Sequence, residues 1–133
     1  MIKQSIHPED YQQTRGFHSP AIKIDMGNSE LIFVSGQQIA KNENNEAITD
    51  DISEQAEHVF QQLEKILNSA GSSLDDVVKA QIFLTDINDF GKVSVIRDKY
   101  FAKSKPVSTV IEVNGMTRKG AKIEIEVTAI KEK

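Results

Sequence analysis

The strongest pattern in the chain is a helical stripe. Ile52, Ala56, Val59, Phe60, Leu63, Ile66, Leu67 and Ala70 recur at the spacing of one helix face. Asp50 or Asp51 can cap its start, and Glu54 stands three residues after Asp51 as in a capping box. Gly71 follows where a left-handed residue closes a helix. A second stripe, Phe90, Val93, Ile96 or Arg97, Tyr100 and Phe101, predicts another helix, entered through N-cap candidates in Thr85–Asp89.

Elsewhere the pattern alternates with period two, as in strands. Lys3–Ile6 is a weak first strand, and Glu9–Ser19 a long polar connection. Ala21–Met26 and Leu31–Val34, parted by Gly27-Asn28-Ser29, predict a hairpin that ends at Ser35-Gly36. Gln37–Thr49 is a polar loop. Val77–Leu84 predicts a strand with Val78, Ala80, Ile82 and Leu84 inward and Val77, Lys79, Gln81 and Phe83 outward. Pro106–Val113 starts on a residue with no ladder donor and is rich in β-branched side chains. Val107, Thr109, Ile111 and Val113 read as its core face. Ser108, Val110 and Glu112 form a mixed face that meets water, a partner or a ligand. Lys122–Ile130 closes the set, with Ile123, Ile125, Val127 and Ala129 inward and Lys122, Glu124, Glu126 and Thr128 outward.

The order is β-β-β-α-β-α-β-β in one domain, residues 1–133. Each helix is apolar on one side only. Both should therefore lie on one face of a single mixed sheet, an α+β fold. The other face, with Val77, Phe83 and Val110 among polar residues, has no cover within the chain. That predicts self-association.

Composition narrows the function classes. The chain has 38% hydrophobic and 27% charged residues, ordinary for a globular protein. It has no cysteine, which excludes disulfides, thiolate zinc sites and a cysteine nucleophile. Met1–Pro8 lacks the apolar core of a signal peptide, and no apolar run is long enough for a membrane span. A cytoplasmic protein with no membrane partner is expected. The net charge of −4 argues against a nucleic-acid partner. His7, His18 and His58 have no metal-ligand spacing, and there is no phosphate loop or nucleophile elbow.

Two features carry possible chemistry. Val34-Ser35-Gly36 is either a plain turn or a hydroxyl and backbone N–H aimed at an anionic ligand. Glu112, Glu124 and Glu126 are either Lys–Glu lacing on a sheet face or a source of a carboxylate that positions water as a general base.

Several stretches together resemble the RidA/YjgF family of reactive intermediate deaminases. They are Phe33-Val34-Ser35-Gly36-Gln37, Gly71-Ser72-Ser73-Leu74-Asp75-Asp76-Val77-Val78-Lys79, Phe83-Leu84-Thr85-Asp86 with Phe90, and Ile111-Glu112-Val113 with Ile123-Glu124-Ile125-Glu126. The resemblance runs from about Gly16 to Ile130. It implies a chorismate-mutase-like fold and a homotrimer with a central β-barrel, helices outside, and small-molecule clefts between subunits. It also implies cofactor-free hydrolysis of imines or enamines such as 2-aminoacrylate to 2-oxo acids and ammonia.

Residue by residue, Ser35 and Gly36 match the cleft-lining serine and glycine. Glu124 matches the glutamate that holds the attacking water, after a loop one residue longer. Ser19 matches a serine of the N-terminal loop, beside which His18 replaces an aromatic hydroxyl. Active members read Pro-x-Arg-Ser, and the arginine holds the substrate carboxylate. Here the register is Pro106-Val107-Ser108-Thr109, so Ser108 stands in the arginine's place and Val110 shares its face. A hydroxyl without charge is no substitute for a guanidinium fork. Two readings follow. One is a protein that binds a small polar metabolite and is not a standard deaminase. The other is a deaminase in which Arg118, Lys119 or Arg15 supplies the cation.

Overall fold

A computed structural model of the chain describes residues 2–11 and 17–133. Its strands are β1 (Lys3–Ile6), β2 (Ala21–Asp25), β3 (Ser29–Gln37), β4 (Val77–Leu84), β5 (Val107–Glu112) and β6 (Ile123–Glu132). The helices α1 (Ile52–Ser69) and α2 (Phe90–Tyr100) complete the predicted order. Short 3-10 turns, Leu74–Asp76 and Ile87–Asp89, precede β4 and α2. One sheet runs β1-β2-β3-β6-β4-β5, with β4/β5 parallel and the other pairs antiparallel.

Local chemistry explains the boundaries of α1. Asp51 caps it, accepting from the Glu54 N–H at 3.0 Å. The box is only half made, because the Glu54 carboxylate accepts from the Thr49 hydroxyl at 2.8 Å. Gly71, at φ +81°, ends the helix. Its N–H donates to the Asn68 carbonyl at 3.0 Å and the Ser72 N–H to the Leu67 carbonyl at 2.9 Å, the paired bonds of a Schellman motif. The stripe Ile52, Ala56, Val59, Phe60, Leu63, Ile66 and Leu67 is buried against β3 and β6. Phe60 stacks on Tyr100 with centroids 4.8 Å apart and meets Phe101 edge-on at 5.2 Å, which ties α1 to α2.

The core face of β6 is as predicted, with Ile123, Ile125, Val127 and Ala129 buried. Two other faces differ from expectation. Val77 is 2% exposed and Val78 42%, because a bulge between Val77 and Lys79 shifts the register by one. In β5 the faces are reversed. Ser108 pairs with Ala80, Val110 with Ile82 and Glu112 with Leu84, so these three share the helix-covered side. Val110 packs against the core, while Val107 (68% exposed) and Ile111 (45% exposed) face the open side. As an edge strand, β5 has little core to report, and its apolar alternation lies on the face that this chain leaves bare. Phe33 and Ile130 are exposed there too.

The polar connection after β3 is held by backbone pairing. Lys41 bridges Ala47, and Glu46 bridges Lys119 in the loop before β6. Gln55, on α1 and fully buried, joins these loops. Its Nε2 donates to the Thr49 carbonyl at 2.8 Å and the Gly120 carbonyl at 2.9 Å, while its Oε1 accepts from the Lys122 N–H at 2.8 Å.

Candidate functional site

The end of β3 is bent by a second bulge. Val34 pairs with Val127 and Gln37 with Ile125, so Ser35 and Gly36 together oppose Glu126. Such bulges re-aim side chains next to binding sites. Here Gly36 is left under the side chain of Glu124. A Cβ at Gly36 would lie 2.6 Å from Glu124 Oε2 and 2.7 Å from its Cδ. Only glycine leaves that carboxylate where it is.

Gln38 fixes the other oxygen. Its Nε2 donates to Glu124 Oε1 at 2.8 Å and to Thr117 Oγ1 at 3.0 Å. Its Oε1 accepts from the Arg118 backbone N–H at 3.2 Å. One amide thus orients a carboxylate on β6 and ties it to the loop before that strand. Gln38 and Thr117 were not singled out in the sequence, because 79 positions separate them and no local pattern marks the contact.

Arg118 is drawn into the same cluster. Its Nη1 donates to the Ile39 carbonyl, and its Nε is buried without a hydrogen-bond partner among the described residues. Burial pulls its pKa below the ordinary guanidinium value, which the nearby Tyr11 opposes. Lys119 instead points to Glu46, at 3.9 Å, and is exposed. Arg15 lies outside the described residues.

The N-terminal segment covers the other flank. Ser35 Oγ donates to the Ser19 carbonyl at 2.7 Å, and its N–H to the Pro20 carbonyl at 2.9 Å. Ser19 Oγ donates to Ser5 Oγ at 3.0 Å. His18 is exposed beside it. The Tyr11 hydroxyl meets the buried amide of Gln37, donating to Oε1 at 3.2 Å and accepting from Nε2 at 3.1 Å. Gln37 Nε2 also donates to the Ser35 carbonyl at 3.1 Å. A phenol therefore stands near this site, supplied by Tyr11, although His18 takes the place of the aromatic hydroxyl in the N-terminal loop motif.

Ser35, Gly36, Ser19, Glu124 and Arg118 are thus gathered at one end of the β3/β6 pair. Ser108 is not. It lies on β5, three strand positions from β3, about 14 Å at usual strand spacing. It also faces the helix side, while Glu124 pairs with Phe83 on the open side. Val110, expected beside Ser108 at a ligand, packs against the core. Ser108 lines a separate cleft of about 390 Å³ with Arg97, Asp98, Phe101, Ala102, Lys105 and Pro106.

The sheet, its two helices and the clamped glutamate define a small α+β protein with a fixed carboxylate on the bare sheet face. Residues 12–131 match the family model described as Endoribonuclease L-PSP. The chain belongs to this family, the RidA/YjgF family. It is 40% identical over 132 residues to a RutC family protein of Pyrococcus abyssi, covering 99% of this chain and 100% of the relative. It is 34% identical over 130 residues to the rat 2-iminobutanoate/2-iminopropanoate deaminase, covering 98% and 91%. Among solved structures, YEO7 of yeast superposes with a TM-score of 0.84 at 33% identity, covering 98% of this chain and 99% of that one. No helix among the described residues is long and apolar enough to cross a membrane.

Proposed function

We propose that this chain hydrolyses small imine or enamine forms of amino acids to 2-oxo acids and ammonia, with Glu124 holding the attacking water. An enamine first tautomerises to the imine by taking a proton on its terminal carbon and losing one from nitrogen. Water then adds to the imine carbon as its proton passes to Glu124. The carbon–nitrogen bond breaks as that proton is returned to nitrogen, which leaves as ammonia while the hydroxyl becomes the carbonyl of the 2-oxo acid. The observation that carries this reading is the clamp on Glu124. Gln38 holds one carboxylate oxygen at 2.8 Å, and Gly36 makes room for the other. A general base acts only from a fixed position within reach of the water it activates. The deaminase name of a relative that aligns over nearly the whole chain supports the same chemistry.

The reading includes assembly. Phe33, Val107, Ile111 and Ile130 give the bare face a core-like pattern, which supports a homotrimer with the sheets inward. Its clefts would join Ser35, Gly36 and Glu124 of one copy to the Ser108 end of the next. A reducing cytoplasm suits a chain without cysteine. The acidic net charge of −4 gives the endoribonuclease of the family description no support.

The second reading, binding of a small polar metabolite without turnover, is favoured by Ser108 in the place of an arginine. One assay separates the two. 2-Aminoacrylate is generated in situ, and its loss is timed with the protein and with Glu124→Gln. Acceleration that falls at least tenfold in the variant supports hydrolysis. No acceleration by the native chain leaves the binding reading.

A further inference from the structure

The cleft at Ser108 joins Arg97, a last-turn cation that suits the α2 dipole, to a second cation, Lys105, that the dipole does not call for. Arg97 enters from α2 and Lys105 from the turn that leads into β5. Phe101, Ala102 and Pro106 make the remaining wall apolar, and Asp98 is the one carboxylate among the lining residues. The lining thus carries two cations, one anion and the Ser108 hydroxyl.

Arg97 is held ready. Its Nε donates to Asp98 Oδ1 at 3.1 Å, and its guanidinium lies over the Phe90 ring at 5.4 Å. Asp98 is thereby satisfied by the side of the fork. Nη1 and Nη2 have no partner among the described residues. These two nitrogens are the edge that grips a carboxylate or another planar oxyanion.

Lys105 gives an independent sign. Its φ is +46°, and its N–H donates to the Phe101 carbonyl at 2.9 Å, so it is the left-handed residue that stops the chain after α2. Glycine or asparagine is the usual occupant of such a position, because a side chain with a Cβ is strained there. A lysine kept in that conformation at a cleft points to a use for its charge.

We propose that this cleft binds the carboxylate of a small aliphatic acid, with Arg97 as its principal anchor, Lys105 as a second cation and Ser108 as a neutral donor. The guanidinium is supplied by a helix rather than by the edge strand. The apolar wall of Phe101, Ala102 and Pro106 takes the aliphatic tail. That the bound acid is also the substrate rests on the hydrolytic reading above; carboxylate binding does not.

The test uses 2-oxobutanoate as probe and butan-2-one as its neutral counterpart, with affinities from NMR titration of the full chain. The acid should saturate and the ketone should not. Arg97→Gln should weaken the acid roughly tenfold or more, the scale of one charge-assisted contact. Lys105→Asn should weaken it severalfold without lowering the melting temperature, because asparagine suits the backbone. Lys103→Gln, an equal loss of charge on the neighbouring surface, should change little. Adding Ser108→Arg to Arg97→Gln should restore binding. Equal affinity for acid and ketone, no saturable binding, or an Arg97→Gln variant as tight as the native chain would overturn the proposal. Binding through Arg97 without 2-aminoacrylate turnover would sink the hydrolytic reading alone. 2-Aminoacrylate turnover by a native chain whose affinity for the acid is untouched by Arg97→Gln would sink this one alone.

Discussion

Gly36 and Glu124 share one space: a β-carbon on the first would sit 2.6 Å from a carboxylate oxygen of the second. The obstructed atom is the far end of a flexible side chain, so the side chain can swing away at little cost to the fold. Gly36→Ala should therefore lower the melting temperature by no more than a few degrees. It should lower the rate of 2-aminoacrylate loss at least tenfold, because Glu124 leaves its place. Comparable losses in stability and rate would mean that the glycine serves the bulge and not the carboxylate.

Gln55 makes the opposite case, a polar side chain whose work is structural. Its amide satisfies two carbonyls and one N–H in the loops around α1. Gln55→Leu fits the volume but strands those groups in a buried place. A loss of about 3 kcal/mol is expected in urea unfolding. A loss below about 1 kcal/mol would show that water replaces the amide.

The clamp between the helices should report at high pH. Tyr100 donates to Glu57 Oε2 at 2.5 Å, and Lys99 Nζ donates to Glu57 Oε1 at 2.5 Å. Burial, then the Glu57 carboxylate, pushes the Tyr100 phenol from 10.0 up to about 12. The folded state thus holds this proton more tightly than the unfolded chain. Its contribution is full below pH 10 and is lost as pH rises through about 12. Tyr100→Phe should flatten the stability profile across that window. An unchanged slope would show that the Tyr100 proton does not set the profile.

The bare sheet face gives a prediction in solution. Val107→Lys with Ile111→Lys places two charges on the exposed side of β5. Light scattering should then give the mass of one chain where the native protein gives that of several. A native protein that is already a single chain would remove the assembly from the proposed function.

Much of the architecture was legible because one physical signal dominated each element. The α1 stripe and the β6 alternation each have one buried face and one wet face, so period reports burial directly. The failures have equally local causes. Val77 and Val78 exchanged places because one bulged residue flips the faces of a strand, and no sequence pattern marks it. The faces of β5 were read backwards because Val107, Thr109 and Ile111 are core-like residues on an uncovered side. At the site, Ser35 and Gly36 stood out at a strand end and Glu124 as one of three carboxylates on the outward faces, and the resemblance chose Glu124 among the three. Gln38, Thr117 and Tyr11 were missed, since their partners lie across the fold and amides carry no periodicity. Arg97 was read as a stripe position, and only the end of α2 against β5 makes it a neighbour of Ser108.

The position of β6 has a consequence for how the molecule is made. It is last in sequence yet lies between β3 and β4 near the middle of the sheet. The segments before it form two separate pieces, β1-β2-β3 with α1 and β4-β5 with α2, whose sheet edges meet only through this strand. Until β6 arrives, each piece presents an open edge of unpaired backbone beside an apolar face. Assembly is therefore keystone-like. A chain stopped before Ile123 should not be a smaller stable version of this protein. It should be two half-sheets with sticky margins, and chaperone dependence or aggregation of such fragments would be its signature.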